Sequence, residues 1–191
     1  AKDRYLQALR GLAISAVVLI HCLPQCAASV AIRPFLNFSV ALFLFLSGVL
    51  TDERKFNAGG GVFDAALQVA GPYAFWSVIY LAAFPRPSWA SGFLAFAVGS
   101  VSAQMYYLLV YSQLVLLTPV LFRLLSRYRF FVYCVTPACL LLRELAAVAG
   151  IALPLIQVFC PMWLIFYVFG LDWRRWAALI EGRTTQCSLY F

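Results

Sequence analysis

Six long apolar segments constrain what this chain can fold into more than any other feature of its sequence. These segments cover residues 6–23, 35–50, 66–84, 106–125, 131–149 and 155–171. Most of them approach the ~20 residues that an α-helix needs to cross ~30 Å of hydrocarbon. Because the backbone inside a bilayer must satisfy its own hydrogen bonds, long apolar segments favour helices, whereas a β-barrel would alternate apolar and polar residues. We therefore predict an all-α, polytopic transmembrane helix bundle with about six spans.

Composition argues against a water-soluble fold. Hydrophobic residues make up 64% of the 191 residues and charged residues only 11%, whereas a soluble domain of this size must expose far more polar surface.

A further apolar stretch at 92–103 is rich in Gly, Ser and Ala and too short to span, so we predict a re-entrant or interfacial segment there. No internal repeat or low-complexity linker divides the chain, which predicts one transmembrane domain over residues 1–191.

The basic residues indicate how the spans are oriented. If the N-terminus is cytoplasmic, eleven of the fourteen basic residues fall in cytoplasmic segments. These eleven are Lys2, Arg4, Arg10, Arg54, Lys55, Arg123, Arg127, Arg129, Arg174, Arg175 and Arg183. Each outer segment keeps one: Arg33, Arg86 and Arg143. This split follows the positive-inside rule and predicts a cytoplasmic N-terminus. The basic residues are dispersed among the loops and form no continuous basic surface, so we attribute the net charge of +7 to membrane orientation. We therefore predict no nucleic-acid partner.

The first segment has an alternative interpretation as a cleaved signal peptide, since a basic start precedes an apolar stretch and small residues. However, Arg10 and His21 bracket its apolar stretch, and further spans with alternating loop charge follow. We therefore expect this segment to be retained as a transmembrane helix.

Arg10 and His21 are the strongest functional candidates. His21 is the only histidine, and it follows Arg10 by eleven residues, which is about three helical turns and ~16 Å along the axis of a helix. Ionisable groups inside a membrane are costly and mark functional sites by default. Histidine transfers protons near neutral pH, and arginine binds phosphate or carboxylate in a bidentate manner. The structural alternative is that Arg10 extends to the interface while His21 bonds a neighbouring helix.

Five segments contain distinctive residues in a fixed order. YLQALRGLAISAVVLIH (5–21) separates its arginine and histidine by ten residues, and FSVALFLFLSGVL (38–50) is phenylalanine-rich and has a Ser-Gly pair near its end. The others are PYAFWSVIY (72–80), YYLLVYSQLVLLTPVL (106–121) and MWLIFYVFGL (162–171). Together they resemble the acyltransferase family 3 membrane proteins, whose first helix carries an arginine or lysine, ten intervening residues and a histidine.

The resemblance implies a bacterial inner-membrane enzyme. Such an enzyme moves an acyl group, often acetyl, from cytoplasmic acyl-CoA to a hydroxyl of a cell-surface glycan or lipid-linked sugar at the outer face. It implies acyl-CoA, most often acetyl-CoA, as the donor. It also implies that His21 is the central catalytic residue, as general base or in acyl relay, and that Arg10 helps to hold the donor.

The chain departs from the family in two respects. Family members carry an Arg-x-x-Arg pair leading into the third helix, but FDAALQVAGP (63–72) contains no arginine. Arg54 and Lys55, beside the Gly59–Gly61 turn, are candidates to replace the missing arginine pair in binding the donor. The alternative, which we favour, is that they form a solvated charge cluster that sets the membrane topology. The family has about ten helices, so we expect this chain to be C-terminally truncated. The alternative interpretation is therefore a non-catalytic truncated relative or a small transporter-like bundle.

The remaining polar residues are weaker candidates. Ser47, with Ser39 eight residues before it, is a candidate for the same cavity as His21, although membrane serines more often bond backbone or a neighbouring helix. Gln104 and Gln113 flank the start of the fourth segment and are candidates for binding the acceptor sugar, with packing as the favoured role. A single histidine cannot build a histidine-rich site and the cysteines form no cluster, so we predict no metal site.

Overall fold

A computed structural model of the chain describes residues 4–24, 26–53, 61–102, 105–153 and 158–188. Within these ranges the regular structure is helical throughout, which confirms the predicted all-α class. The helices are α1 (Arg4–Cys22), α2 (Ala27–Leu36), α3 (Phe38–Val49), α4 (Gly61–Ala83), α5 (Trp89–Ala97), α6 (Met105–Val148), α7 (Leu164–Leu171) and α8 (Trp173–Ser188). A short 3₁₀ turn, Cys160–Met162, precedes α7.

Four helical segments of the described chain are long and apolar enough to cross a bilayer: Arg4–Cys22, Val30–Val49, Gly61–Ala83 and Met105–Val148. The chain is therefore an integral membrane protein with several spans, while the predicted number of six is not confirmed. The second span starts at Val30, before the predicted residue 35, because α2 and α3 join at Asn37 in helical geometry (φ −66°, ψ −11°). Pro34 lies inside α2, as transmembrane helices tolerate.

The longest helix, α6, folds back on itself. Its 44 residues would measure ~66 Å if straight, about twice the hydrocarbon thickness. Gln113 Oε1 accepts a hydrogen bond from the Cys160 N–H at 3.1 Å, while Thr136 Oγ1 donates to the Pro161 carbonyl at 2.7 Å. Cys160 and Pro161 are consecutive, so Gln113 and Thr136 cannot be separated by the ~34 Å that a straight helix would place between them.

The fold-back occurs at Tyr128, where the backbone leaves helical geometry (φ −130°, ψ 39°). Residues 105–127 and 129–148 then form two limbs of ~34 and ~30 Å, each long enough to span. The predicted spans 106–125 and 131–149 coincide with these limbs, and the basic stretch predicted between them lies at the corner. The division was visible in the sequence because three arginines interrupt the apolar residues there.

The predicted sixth span, 155–171, does not form as one helix. In its described part, the 3₁₀ turn at Cys160–Met162 precedes α7, which has only eight residues and is ~12 Å long. Pro161 lacks the N–H that a continuous helix needs at that position. Beyond α7 the chain turns helical again almost at once, since the Trp176 N–H donates to the Asp172 carbonyl at 3.2 Å.

The predicted non-spanning segment 92–103 contains the end of α5, a nine-residue helix. At ~13 Å it is too short to cross, as predicted. After α5 the chain turns at Gly99, whose φ of 68° favours glycine. Its re-entrant or interfacial placement stays a prediction.

Contacts divide the chain into two units, one formed by Ala1–Thr51 with Phe166–Phe191 and the other by Asp52–Ile165. In the first unit α1 packs on α3, and in the second α4 packs along α6. The single domain predicted over residues 1–191 stays a prediction.

Two glycines bring α3 and α7 into backbone contact within the first unit. A Cβ atom on Gly48 would lie 2.9 Å from the Gly170 Cα and 2.8 Å from the Leu171 nitrogen. A Cβ atom on Gly170 would lie 2.9 Å from the Gly48 Cα. Small residues permit this close approach of transmembrane helices. The two glycines belong to the segments 38–50 and 162–171 that were singled out in the sequence, so these segments meet in space.

Candidate functional site

Arg10 and His21 lie on one continuous helix, as the sequence predicted. α1 runs from Arg4 to Cys22, so the eleven-residue separation turns the side chains through about three full turns plus ~20°. They therefore project from nearly the same face, ~16 Å apart along the helix axis.

That face borders the packed side of α1 and does not coincide with it. The buried residues of α1 are Ala13 and Ala16, and at ~100° per residue Arg10 lies ~60° and His21 ~80° around the helix from Ala13. Arg10 is accordingly half-buried and His21 is exposed. Small alanines, rather than the ionisable residues, thus form the contact side of α1.

Neither side chain has a structural partner in the described part of the chain. No hydrogen bond or ion pair of Arg10 or His21 occurs among these residues. The alternative in which His21 bonds a neighbouring helix is therefore not seen there. Within the described ranges, neither the imidazole nor the guanidinium uses its hydrogen-bonding groups.

Ser47 lies at the end of α3 near a small polar cluster that the sequence did not predict. It is half-buried, and its carbonyl accepts a hydrogen bond from Thr51 Oγ1 at 2.7 Å. Thr51 Oγ1 is also 3.3 Å from the hydroxyl of Tyr167, a fully buried side chain. The bond from Thr51 to the residue four positions earlier is a local pattern that sequence reasoning can find. The contact with Tyr167 bridges 116 positions and has no local signal.

The other predicted binding residues divide between those the structure describes and those it does not. Arg54, Lys55 and Gln104 lie outside the described residues, so their roles stay predictions. Gln113 has the packing role that the sequence analysis favoured. Its Nε2 donates to the Val158 carbonyl at 3.0 Å, and its Oε1 accepts from Cys160. Both ends of the amide are thereby engaged with backbone.

Two clefts open in the unit formed by Asp52–Ile165. One has a volume of about 530 Å³ and lies beside the loop between α4 and α5, and the other, of about 310 Å³, lies beside Arg143 and Gly150 at the end of α6. Neither is lined by Arg10, His21 or Ser47. Within the described ranges, no three His, Cys, Asp or Glu side chains are close enough to hold a metal ion.

Comparison with known proteins assigns the chain to a family. A family model described as an acyltransferase domain matches residues 3–185, nearly the entire sequence. No curated protein and no solved structure matches the chain. The matched region includes α1 with its Arg10 and His21, as well as the motif glycines of α3 and α7. The chain belongs to acyltransferase family 3.

Proposed function

We propose that this protein is a bacterial inner-membrane O-acyltransferase that uses cytoplasmic acyl-CoA, most often acetyl-CoA, as its donor. The acceptor is a hydroxyl of a cell-surface glycan or lipid-linked sugar. Family membership supports membrane acyltransferase activity. The observation that carries the proposal is the geometry of α1, which holds Arg10 and His21 on one helix face, both without a partner among the described residues.

His21 acts as the general base. Its neutral imidazole accepts the proton of the acceptor hydroxyl while that oxygen attacks the acyl carbonyl. The new C–O bond forms, the C–S bond of the thioester breaks, and the proton passes to the departing thiolate. An exposed imidazole with no hydrogen-bonding partner among the described residues suits this role, because the base must contact a substrate that enters and leaves.

Arg10 binds an anionic group of the donor. A half-buried guanidinium forms stronger charge-assisted hydrogen bonds with phosphate than one in water. The ~16 Å between Arg10 and His21 allows an extended donor to be anchored at one residue while its reacting end approaches the other. Arg54 and Lys55 are proposed as further donor contacts, and Ser47 and Gln104 as further substrate contacts.

The second candidate is a non-catalytic bundle in which the same helix only packs or relays protons. The observation that favours it is the absence of arginine from residues 63–72, where family members carry an Arg-x-x-Arg pair. Activity measurements separate the two candidates directly.

The test compares membranes that contain the parent chain, His21→Ala or Cys22→Ala at equal abundance. Cys22 is the exposed neighbour of His21 and serves as the matched control. Membranes are incubated with acetyl-CoA labelled in the acetyl group, and label on surface glycan and lipid-linked sugar is counted. We expect His21→Ala to reduce transfer at least ~100-fold, within the range of general-base catalysis, and Cys22→Ala to retain it. Full transfer by His21→Ala would refute the catalytic role.

A further inference from the structure

The larger cleft, of about 530 Å³, has the composition of a binding site for an anionic amphiphile. We call it the outer cleft, and six of the residues that line it are Leu81, Arg86, Pro87, Trp89, Phe93 and Phe96. Its volume lies within the ~300–1,000 Å³ of small-molecule sites. Among the described residues that line it, none is acidic. It therefore combines one cationic group with aromatic and apolar walls.

The walls of the outer cleft are held in place by contacts on both sides. Tyr73 of α4 donates a hydrogen bond to the Phe96 carbonyl, and the two rings lie 5.4 Å apart. At the other end of α5, Ser88 and Ser91 form a reciprocal capping box, in which the Ser91 N–H donates to Ser88 Oγ at 3.2 Å. Such a box satisfies free amides at a helix start. The direction in which α5 leaves the loop is thereby determined.

Arg86 supplies the positive charge. One Nη atom donates to the Ser100 carbonyl at 3.0 Å, which holds the guanidinium in position. In the described part of the chain Arg86 has no carboxylate partner, and most of its five donors make no hydrogen bond with that part. Arg143, beside the smaller cleft, differs because it is ion-paired with Glu144. Of these two arginines, Arg86 alone keeps a charge that the described residues do not neutralise.

Trp89 lines the outer cleft. The residue is 98% exposed, although it belongs to a capped helix, and Phe93 one turn later is 74% exposed. Flat aromatic faces pack well on the C–H faces of sugar rings and on unsaturated hydrocarbon chains. α4, an apolar span, ends at Ala83 immediately before the cleft-lining loop. The predicted topology puts this loop on the outer side, at the level of lipid headgroups.

We propose that the outer cleft binds a sugar carried on a membrane-embedded lipid phosphate, in preference to a neutral free glycan. Arg86 binds the phosphate, Trp89 packs on the sugar, and the lipid chain lies along the exposed face of α4. This inference rests on the proposed acyltransferase function, which left both types of acceptor open.

The test measures binding of radiolabelled polyprenyl phosphate glucose to the full chain in phosphatidylcholine nanodiscs. Arg86→Gln is compared with Arg143→Gln, the matched control whose arginine is already paired. We expect Arg86→Gln to weaken binding about tenfold or more, as loss of charge-assisted hydrogen bonds implies, and Arg143→Gln to change it less than twofold. Trp89→Ala should weaken binding, and Trp89→Phe should largely restore it because a ring remains. A monodisperse size-exclusion profile establishes that each variant is folded.

Competition distinguishes the sources of the phosphate. Unlabelled polyprenyl phosphate glucose should displace the probe, while phosphatidylglycerol, glucose 1-phosphate and neutral polyprenol should not at equal concentration. Displacement by phosphatidylglycerol would identify a general headgroup site and overturn the assignment, as would equal binding by Arg86→Gln and the parent chain.

Binding requires no acyl transfer, so His21→Ala should bind the probe normally. The binding proposal for the outer cleft and the catalytic proposal for His21 can therefore fail independently. A folded Arg86→Gln variant with normal binding would reject only the binding proposal, and a His21→Ala variant with normal transfer would reject only the catalytic proposal.

Discussion

Replacing Gly48 by alanine tests how closely α3 and α7 approach. The added methyl group would lie 2.9 Å from the Gly170 Cα and 2.8 Å from the Leu171 nitrogen, both backbone atoms that cannot rotate away. The two helices must therefore separate by several tenths of an ångström or more. Overpacking of this kind costs roughly 1–3 kcal/mol.

Separation also strains a nearby hydrogen bond. The contact between Thr51 Oγ1 and the Tyr167 hydroxyl is already 3.3 Å long, so a further shift would break it at a cost of about 0.5–1.5 kcal/mol. Alanine gains about 0.5–1 kcal/mol over glycine inside a helix. We therefore expect Gly48→Ala to lower the free energy of unfolding by about 1–3 kcal/mol.

Gly11 provides the matched control, because a Cβ atom there would meet nothing within 4 Å and the residue lies inside α1. Gly11→Ala should raise stability by about 0.5–1 kcal/mol through helix propensity alone. The two substitutions thus have the same chemistry and opposite expected signs. Reversible unfolding by sodium dodecyl sulfate, followed by circular dichroism in mixed micelles, measures both.

A double substitution sharpens the test. Gly170→Ala should destabilise by a similar amount, and the double variant should cost less than the sum, because one separation of the helices accommodates both methyl groups. If Gly48→Ala is as stable as the parent protein, or if the two effects add fully, the close contact between α3 and α7 is refuted.

Two further predictions concern the fold-back of α6 and the orientation of the chain. Thr136 Oγ1 donates to the Pro161 carbonyl and accepts from the Ile165 N–H at 3.0 Å, so Thr136→Val should destabilise by about 1–3 kcal/mol in the same unfolding assay. Ser112→Ala, which removes a bond to the Leu109 carbonyl in its own helix, should have little effect, and equal effects would contradict the tertiary role of Thr136. In a background that lacks Cys22 and Cys26, a membrane-impermeant thiol reagent applied to intact cells should label Pro87→Cys but not Ser126→Cys. The reverse labelling pattern would show that the predicted orientation of the chain is wrong.

The transmembrane helices were predictable from the sequence because the bilayer leaves the backbone few choices. A long apolar segment has to form helix in order to satisfy its own N–H and C=O groups. Loop charge then indicated where one span ends and the next begins, as at the arginine-rich corner around Tyr128. Both signals are local in the chain, so they can be read without knowledge of packing.

The relation between Arg10 and His21 was also determined by the sequence. An eleven-residue separation on a continuous helix sets both the shared face and the ~16 Å distance, whatever surrounds them. Tertiary structure decided their exposure, because burial depends on which side of α1 meets α3. The small residues Ala13 and Ala16 occupy that side, and the ionisable pair lies at its edge.

Only the tertiary structure decided which residues distant in sequence meet. Gly48 and Gly170 each look like an ordinary helical glycine, and the closeness of their backbones emerges from the packing of α3 on α7. Gln113 bonds the backbone of Val158 and Cys160. This contact forms because the segment that follows α6 packs back against α6. The membrane environment thus acts on each segment separately and makes the helices predictable, whereas contacts between helices depend on shape complementarity among all of them at once.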